Sequence, residues 1–453
     1  MARLFGTDGV RGLANRDITA ELALDLAVAA AHVLAERGEF SGHRPSAVLG
    51  RDTRLSSQFL SSAVAAGLAS AGVDVLDVGA IPTPAIAHLT GTTGADLGVV
   101  ISASHNPMPD NGIKFFARGG LKLPDSVEEA IEARVGEPWE RPTGADVGDI
   151  TIASELGAQY VEHLATSVAD FAGRSLPLAG LTIVADGAHG AASTIGPAAL
   201  EAAGARVVRL HCEPDGRNIN ANSGSTHMGL LCESVVAHGA DMGVAYDGDA
   251  DRCLAVDHTG AVVNGDLIMG LLALAMKDAG SLYRQTVVAT VMSNLGLHHA
   301  MRDAGIDIVE TAVGDRYVLE AMREGGYTLG GEQSGHIIVS RYASTGDGVL
   351  SSLLLASAVA AKGPLRDLAA GIGTLPQVLI NVSGVDRSRV HTDEDVTREV
   401  DRVRSDLGDS GRVLLRSSGT EPLVRIMVEA STIGEAQIHA DSLAATVADR
   451  LAL

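Results

Sequence analysis

At roughly 100 to 200 residues per domain, a chain of 453 residues holds three or four domains with ample core, and a single domain is not expected. The 34 Lys plus Arg against 56 Asp plus Glu give a formal net charge of −22, which argues against nucleic acid or an anionic membrane as partner and leaves any anionic substrate in need of local basic clusters. Hydrophobic residues at 46% and charged ones at 20% describe a soluble globular protein without a run of the roughly 18 apolar residues that a spanning helix needs; the opening MARLFGTDGVRG lacks a signal-peptide apolar region, and Cys212, Cys232 and Cys253, odd in number and without metal-type spacing, read as free thiols in the cytoplasm.

In chain order, Thr19 to Gly38 reads as a helix, with a Thr N-cap, apolar spacing through Leu22, Leu26, Ala29 and Val33, and a Gly stop. Ala47 to Gly50 is a short strand, Ser57 to Ala71 a helix ended by Gly72, and Val73 to Val78 another strand. The strands Leu181 to Ala185, Val207 to Leu210 and Met242 to Ala245 form a second block, and Thr286 to Val291 begins a third. Three strand-and-helix blocks of similar size suggest three related α/β units with largely buried sheets. After Gly371 to Pro376 the character changes: strands at Gln377 to Val382, Arg412 to Leu415 and Val424 to Val428 and a terminal helix suggest a smaller α+β domain.

Four stretches carry chemistry. Leu97 to Ile101 is a buried strand that stops on Ser102, Ala103, Ser104, His105, Asn106 and Pro107, a strand-end loop of hydroxyls, imidazole and a φ-locked proline, with Lys114 close behind; alone it could be an ordinary polar turn. Asp247, Asp249 and Asp251, followed by Arg252, alternate directly after the strand Met242 to Ala245, so their carboxylates can converge on one hard cation such as Mg²⁺. An EF-hand is ruled out by Arg252 and His258 at positions that need Gly and Glu, which leaves an acidic surface turn as the alternative. Gly330-Gly331-Glu332-Gln333-Ser334-Gly335-His336 offers hydrogen-bonding groups and close backbone approach to a polyhydroxyl ligand, or is a plain glycine turn. Arg416 to Arg425 combines two guanidinium groups with Ser418, Gly419 and Thr420, the forks and backbone amides a phosphate needs, or is a solvated loop with incidental Arg.

Together these stretches resemble the bacterial α-D-phosphohexomutase superfamily over essentially the whole chain. The resemblance implies that Ser104 of Ser102-Ala-Ser-His-Asn-Pro carries a phosphoserine and that Ser104, Asp247, Asp249 and Asp251 hold Mg²⁺, one per subunit, with Arg252 at the phosphate. It implies that Glu332 and Ser334 read sugar hydroxyls, that His336 is a proton-transfer partner, and that Arg416, Ser418, Gly419, Thr420 and Arg425 clamp the phosphate that is not being transferred. Arg11 of Phe5-Gly-Thr-Asp-Gly-Val-Arg-Gly and Lys114 of Asp110-Asn-Gly-Ile-Lys become active-site cations by the same resemblance. Pro214-Asp-Gly-Arg-Asn218-Ile-Asn220, Gly224-Ser-Thr-His227, Thr290 to Asn294 and Val313-Gly-Asp-Arg316 are similar to the branch that acts on glucosamine phosphates. His189, Ser223 and Met228-Gly229 depart from that branch's usual residues, away from the catalytic motifs.

The implied fold is α/β, with four domains around a central cleft: three related units with mixed sheets at 1–152, 153–256 and 257–370, and an α+β domain at 371–453. The implied reaction is the interconversion of glucosamine 6-phosphate and glucosamine 1-phosphate through a 1,6-bisphosphate, feeding UDP-N-acetylglucosamine and cell-wall precursor synthesis. Activation would need glucosamine 1,6-bisphosphate or phosphorylation of Ser104, and the implied partners are the phosphosugar substrate, an activating kinase and a second copy in a homodimer. A phosphomannomutase or phosphoglucomutase would share every catalytic motif. A non-catalytic phosphosugar-binding protein would be betrayed by loss of the serine or an Asp, and neither is lost.

Overall fold

The computed structural model describes residues 4–6, 8–417 and 423–453. The apolar run Leu97–Ile101 is a strand with all five residues buried. It lies parallel to Ser46–Arg51 on one side and antiparallel to Asp110–Ala117 on the other. Leu97, Val99 and Ile101 point into a core shared with Leu26, Leu60, Leu68 and Ile131, where each buried aliphatic side chain contributes about 1.5–3 kcal/mol. Two helices cover that face. Ala20–Glu36 is capped by the Thr19 hydroxyl, which accepts from the Leu22 N–H at 3.2 Å, and Leu55–Ser70 packs against it where Gly67 comes so close to the Leu24 carbonyl that a Cβ would stand 2.6 Å away.

Among the described residues the strands form four sheets. The first runs Phe5–Gly6, Gly9–Leu13, Asp110–Ala117, Leu97–Ile101, Ser46–Arg51, Asp74–Ala80, Ile150–Ile152, with Leu121–Lys122 paired to Asp110–Ala117. The second runs Arg206–Leu210, Thr182–Asp186, Met242–Tyr246, Cys253–Asp257, Val262–Val263, and the third Asp307–Thr311, Thr286–Thr290, Leu329–Gly331, Ile337–Val339. All three are mixed, because in each a parallel core ends on a hairpin: Met242–Tyr246 turns back antiparallel into Cys253–Asp257, and Leu329–Gly331 into Ile337–Val339. The loops that connect those hairpin strands carry the acidic and glycine-rich motifs. The fourth sheet, Gln377–Ser383, Leu423–Glu429, Arg412–Ser417, is wholly antiparallel.

The chain divides into two compact units, one of Met1–Met292 and Ile306–Ala370, the other of Ser293–Gly305 and Gly371–Leu453. At the heart of the first is the helix Gly348–Lys362, buried from Gly348 to Val359 and capped by Asp347, whose carboxylate accepts from the Leu350 N–H. In the second, Glu394–Leu407 and Ile433–Arg450 pack on the antiparallel sheet through Val396, Val403, Leu443 and Val447. The helix Leu295–Asp303 belongs to this unit: Asn294 donates to the Leu375 carbonyl and to Glu429, and the Leu295 N–H donates to Glu429 as well. No described helix is long and apolar enough to cross a membrane.

Candidate active site

Ser104 follows the buried strand Leu97–Ile101 by three residues, and its backbone is held in the left-handed region at φ 51° although it is not glycine. A conformation of that kind costs on the order of 1–3 kcal/mol and persists only where surroundings enforce it. Here they do. The Ser104 N–H donates to the Ser102 hydroxyl at 3.0 Å, and Ser102 in turn donates to Asp52 at 2.7 Å. The Ser104 carbonyl accepts from the Arg54 guanidinium at 3.0 Å and from the Asn220 amide at 2.9 Å. Arg54 is itself fully buried on Asp52, with Nε 2.8 Å from Oδ2. Thus both backbone polar groups of the residue are fixed, and Oγ is left to donate to Asp247 at 2.5 Å.

Asp247, Asp249 and Asp251 come off the buried strand Met242–Tyr246 and bring one carboxylate oxygen each to within 4.8 Å of the others. Gly248 permits the approach: a Cβ there would stand 2.5 Å from the Ser104 carbonyl oxygen. All three carboxylates are buried, yet Oδ1 of Asp249 and Oδ1 of Asp251 have no hydrogen-bond partner. Buried carboxylate oxygens without donors are costly, and a small set of convergent oxygens is what a hard divalent cation takes, so these residues fit Mg²⁺. Burial first, and then the neighbouring Asp251 and Asp249, push the Asp247 carboxyl well above its usual range. Burial alone would raise Asp251 too, but Lys114, His336 and Arg252 outweigh it and hold that carboxyl below the usual range.

The cations are set around this group. Lys114, on Asp110–Ala117, puts Nζ 2.8 Å from both Asp249 and Asp8 and 3.6 Å from Asp251; burial would lower its pKa, but those carboxylates raise it, so the ammonium stays charged. Arg11 pairs with Asp8 and feels the charges of Asp249 and Asp251. Arg252 donates to Nδ1 of His105 at 3.0 Å. His105 is pushed down to about 4 by burial and by Arg252 and Arg11, so it is neutral and can accept that bond. Glu332, Ser334 and His336 lie on the hairpin loop between Leu329–Gly331 and Ile337–Val339. Gly335 makes that loop possible: its φ is 90°, and its carbonyl accepts from the Cys253 N–H at 3.1 Å, which ties the loop to the strand leaving the acidic motif. Glu332 accepts from the Gly314 N–H at 3.1 Å and its charge reaches Arg252, while Ser334 Oγ and His336 Nδ1 are buried without a partner.

In the second unit, Arg416 and Arg425 are directly paired across the antiparallel strands Arg412–Ser417 and Leu423–Glu429. Opposed positions share a face about 5 Å apart, and like charges there repel. Ser418, Gly419 and Thr420 lie outside the described residues. The reading of the sequence passed over Asp52, Arg54 and Thr83, and it gave Asp8, His105 and Asn220 no role of their own. Of these, Thr83 donates to Asp249 at 2.7 Å and anchors the acidic loop from a helix start that has no motif of its own.

Family models described as phosphoglucomutase/phosphomannomutase match in order: alpha/beta/alpha domain I at residues 2–141, domain II at 158–260, domain III at 264–374 and the C-terminal domain at 379–446. The chain is 63% identical over 451 residues to a phosphoglucosamine mutase of Acidothermus cellulolyticus, covering 99% of this chain and 96% of that one. It is 60% identical over 457 residues to that of Streptomyces avermitilis, covering 100% of both. The chain therefore belongs to the phosphoglucosamine mutases within the phosphoglucomutase/phosphomannomutase family. Its fold is shared with a phosphoglucomutase/phosphomannomutase family protein of Burkholderia thailandensis, at TM-score 0.80 and 24% identity over 99% of this chain and 97% of that one. An N-acetylphosphoglucosamine mutase of Aspergillus fumigatus, solved in complex with GlcNAc-6P and magnesium, aligns at TM-score 0.69 and 18% identity over 99% and 96%.

Proposed function

We propose that this isomerase interconverts glucosamine 6-phosphate and glucosamine 1-phosphate by way of a phosphoryl group carried on Ser104. The observation that carries the reading is Ser104 Oγ, 2.5 Å from the first of three convergent buried carboxylates. In the first half-reaction the bond from Ser104 Oγ to phosphorus breaks while the sugar O1 bonds to it, and the proton of O1 passes to His336. The bisphosphate then turns end for end. In the second half, the bond from O6 to phosphorus breaks, Ser104 Oγ takes the group back, and O6 regains the proton that His336 has held. Lys114, Arg11 and Arg252 hold charge on the moving phosphoryl oxygens, Glu332 and Ser334 orient the sugar, and Arg416 and Arg425 with Ser418, Gly419 and Thr420 grip the other phosphate. Asp247, Asp249, Asp251 and Ser104 would hold Mg²⁺, which when bound would offset the charge of a phosphoserine near −2 beside three carboxylates.

The same reading takes one Mg²⁺ per subunit, start-up by glucosamine 1,6-bisphosphate or by a kinase that phosphorylates Ser104, a homodimer, a cytoplasmic setting, and four domains divided near residues 152, 256 and 370. Four family models in sequence support that division, and the absence of a membrane-crossing helix among the described residues is compatible with the setting. The experiment that tests the substrate is a comparison of kcat/KM for the 6-phosphates of glucosamine, mannose and glucose. Glucosamine 6-phosphate should be preferred; equal or better turnover of either other sugar would contradict the assignment.

A further inference from the structure

The Asn220 amide spans two carbonyls of the serine loop. Its Nδ2 donates to Ser104 O at 2.9 Å and to Asn106 O at 3.0 Å. The same two oxygens accept from Arg54 Nη2, at 3.0 and 2.9 Å, and Arg54 Nη1 donates to Pro107 O at 2.6 Å. The two donors have different origins. Arg54 belongs to the first sheet's own block and is anchored on Asp52. Asn220 belongs to the second block: its N–H donates to Ala188 O at 2.9 Å, and three residues along the same turn the Ala191 N–H donates to Gly248 O at 2.8 Å, inside the acidic motif. The turn is fixed in its turn by Asp186, which accepts from the Ala188 N–H at 2.8 Å. Asn220 is therefore hydrogen-bonded, through one short turn, to the loop that presents the three carboxylates.

We infer that Asn220 is a positioning residue for phosphoryl transfer: it keys the Ser104 carbonyl to the block that carries the acidic motif, and Arg54 holds the same carbonyl from the first block. This rests on the reading of Ser104 as the phosphoryl carrier. The physical need is plain. Ser104 at φ 51° would relax to negative φ if released, and that rotation swings Oγ away from the carboxylates. Oγ must also meet two different sugar oxygens in turn, from one fixed place, while its own charge changes with each half-reaction. Asn220 touches none of the reacting atoms; it acts through the Ser104 peptide.

The test uses full-length protein phosphorylated on Ser104, mixed with glucosamine 6-phosphate in a single turnover, for wild type, Asn220→Ala and Asn220→Asp. The aspartate variant keeps the shape and takes away the donors. The rate constant for loss of phosphate from Ser104 should fall on the order of 10- to 100-fold in both variants, as misplacement of a reacting group by about 1 Å does. The steady-state KM should stay within about twofold. A single-turnover rate constant does not depend on the folded fraction. An Asn220 that only stabilised the loop would lower the melting temperature and the amplitude and leave the rate constant at the wild-type value, and that result would overturn the inference. A wild-type protein that turns over sugar phosphate without ever carrying phosphate on Ser104 would overturn the reading beneath it instead.

Discussion

The serine and carboxylate loops of the first unit and the paired arginines of the second arrange their charges in opposite ways. Around Ser104 short-range partners are already in place: Lys114 on Asp249 and on the half-buried Asp8, Arg54 on Asp52, and the Ser104 hydroxyl on Asp247, all but Asp8 buried. Across the antiparallel strands, Arg416 and Arg425 stand as like charges on one face, Arg425 exposed. The first arrangement is preorganised for a step in which charge moves, and desolvation makes each contact count for more. The second sets like charges against each other, a repulsion that the phosphate of the proposed reaction would relieve, which suits a group proposed to bind either end of a ligand and let it go.

Substitutions can break this contrast, starting with the buried side. Ser104→Ala should abolish turnover, and the peptide spanning residues 97–118 should never gain the roughly 80 Da of a phosphoryl group; +80 Da on that peptide in the variant would move the modification elsewhere. Asp249→Ala should cost more than about 100-fold in Mg²⁺-dependent kcat while the fold persists, because a small, geometry-demanding coordination shell loses a ligand. Near-normal turnover at saturating sugar phosphate would show that the three carboxylates do not act as one site.

On the exposed side the effect should be smaller and symmetric. Arg425→Ala should weaken binding by about 1.5 to 3 kcal/mol, the range for hydrogen bonds to charged groups, with KM rising comparably in both reaction directions and more dependence on added glucosamine 1,6-bisphosphate. A loss confined to the 6-phosphate would make the arginine face a one-sided site.

The last effect concerns stability rather than turnover. Asp347 caps Gly348–Lys362 and accepts from the Tyr160 hydroxyl at 2.9 Å, and burial pushes its carboxyl up to about 6 from the ordinary 3.8. A folded-state pKa above the unfolded one means the folded protein binds the extra proton, so this group's contribution falls as pH rises from about 4 to about 6. Asp347→Asn keeps the cap and lacks the titration, so its stability relative to wild type should climb across that window by roughly 3 kcal/mol at most. A pH-independent difference in urea midpoints would show that Asp347 titrates normally.

What the sequence made legible, and what it hid, follows from how far the chemistry is spread along the chain. The helix after Thr19, the buried strand Leu97–Ile101 and the acidic run after Met242–Tyr246 declare themselves because cap, periodicity and ligand spacing are local. Asn220 and Arg54 act through side chain to backbone bonds onto Ser104, 116 and 50 residues away in the chain, and a carbonyl acceptor leaves no mark on the residue that owns it. Asp8 reads as one more acidic residue until Lys114 and Arg11 are seen to share it. The helix Leu295–Asp303 has an ordinary amphipathic pattern, and only the bonds from Asn294 and Leu295 to Glu429 reveal the unit it packs with.

The central claim is that Ser104 passes its own phosphoryl group to O1 and is recharged from O6. Protein labelled with radioactive phosphate on Ser104, mixed with unlabelled glucosamine 6-phosphate, measures this directly. After one full turnover the label should sit in glucosamine 1-phosphate, with the enzyme again phosphorylated but cold. Label released as inorganic phosphate, or label retained on Ser104 while glucosamine 1-phosphate accumulates, would contradict the account.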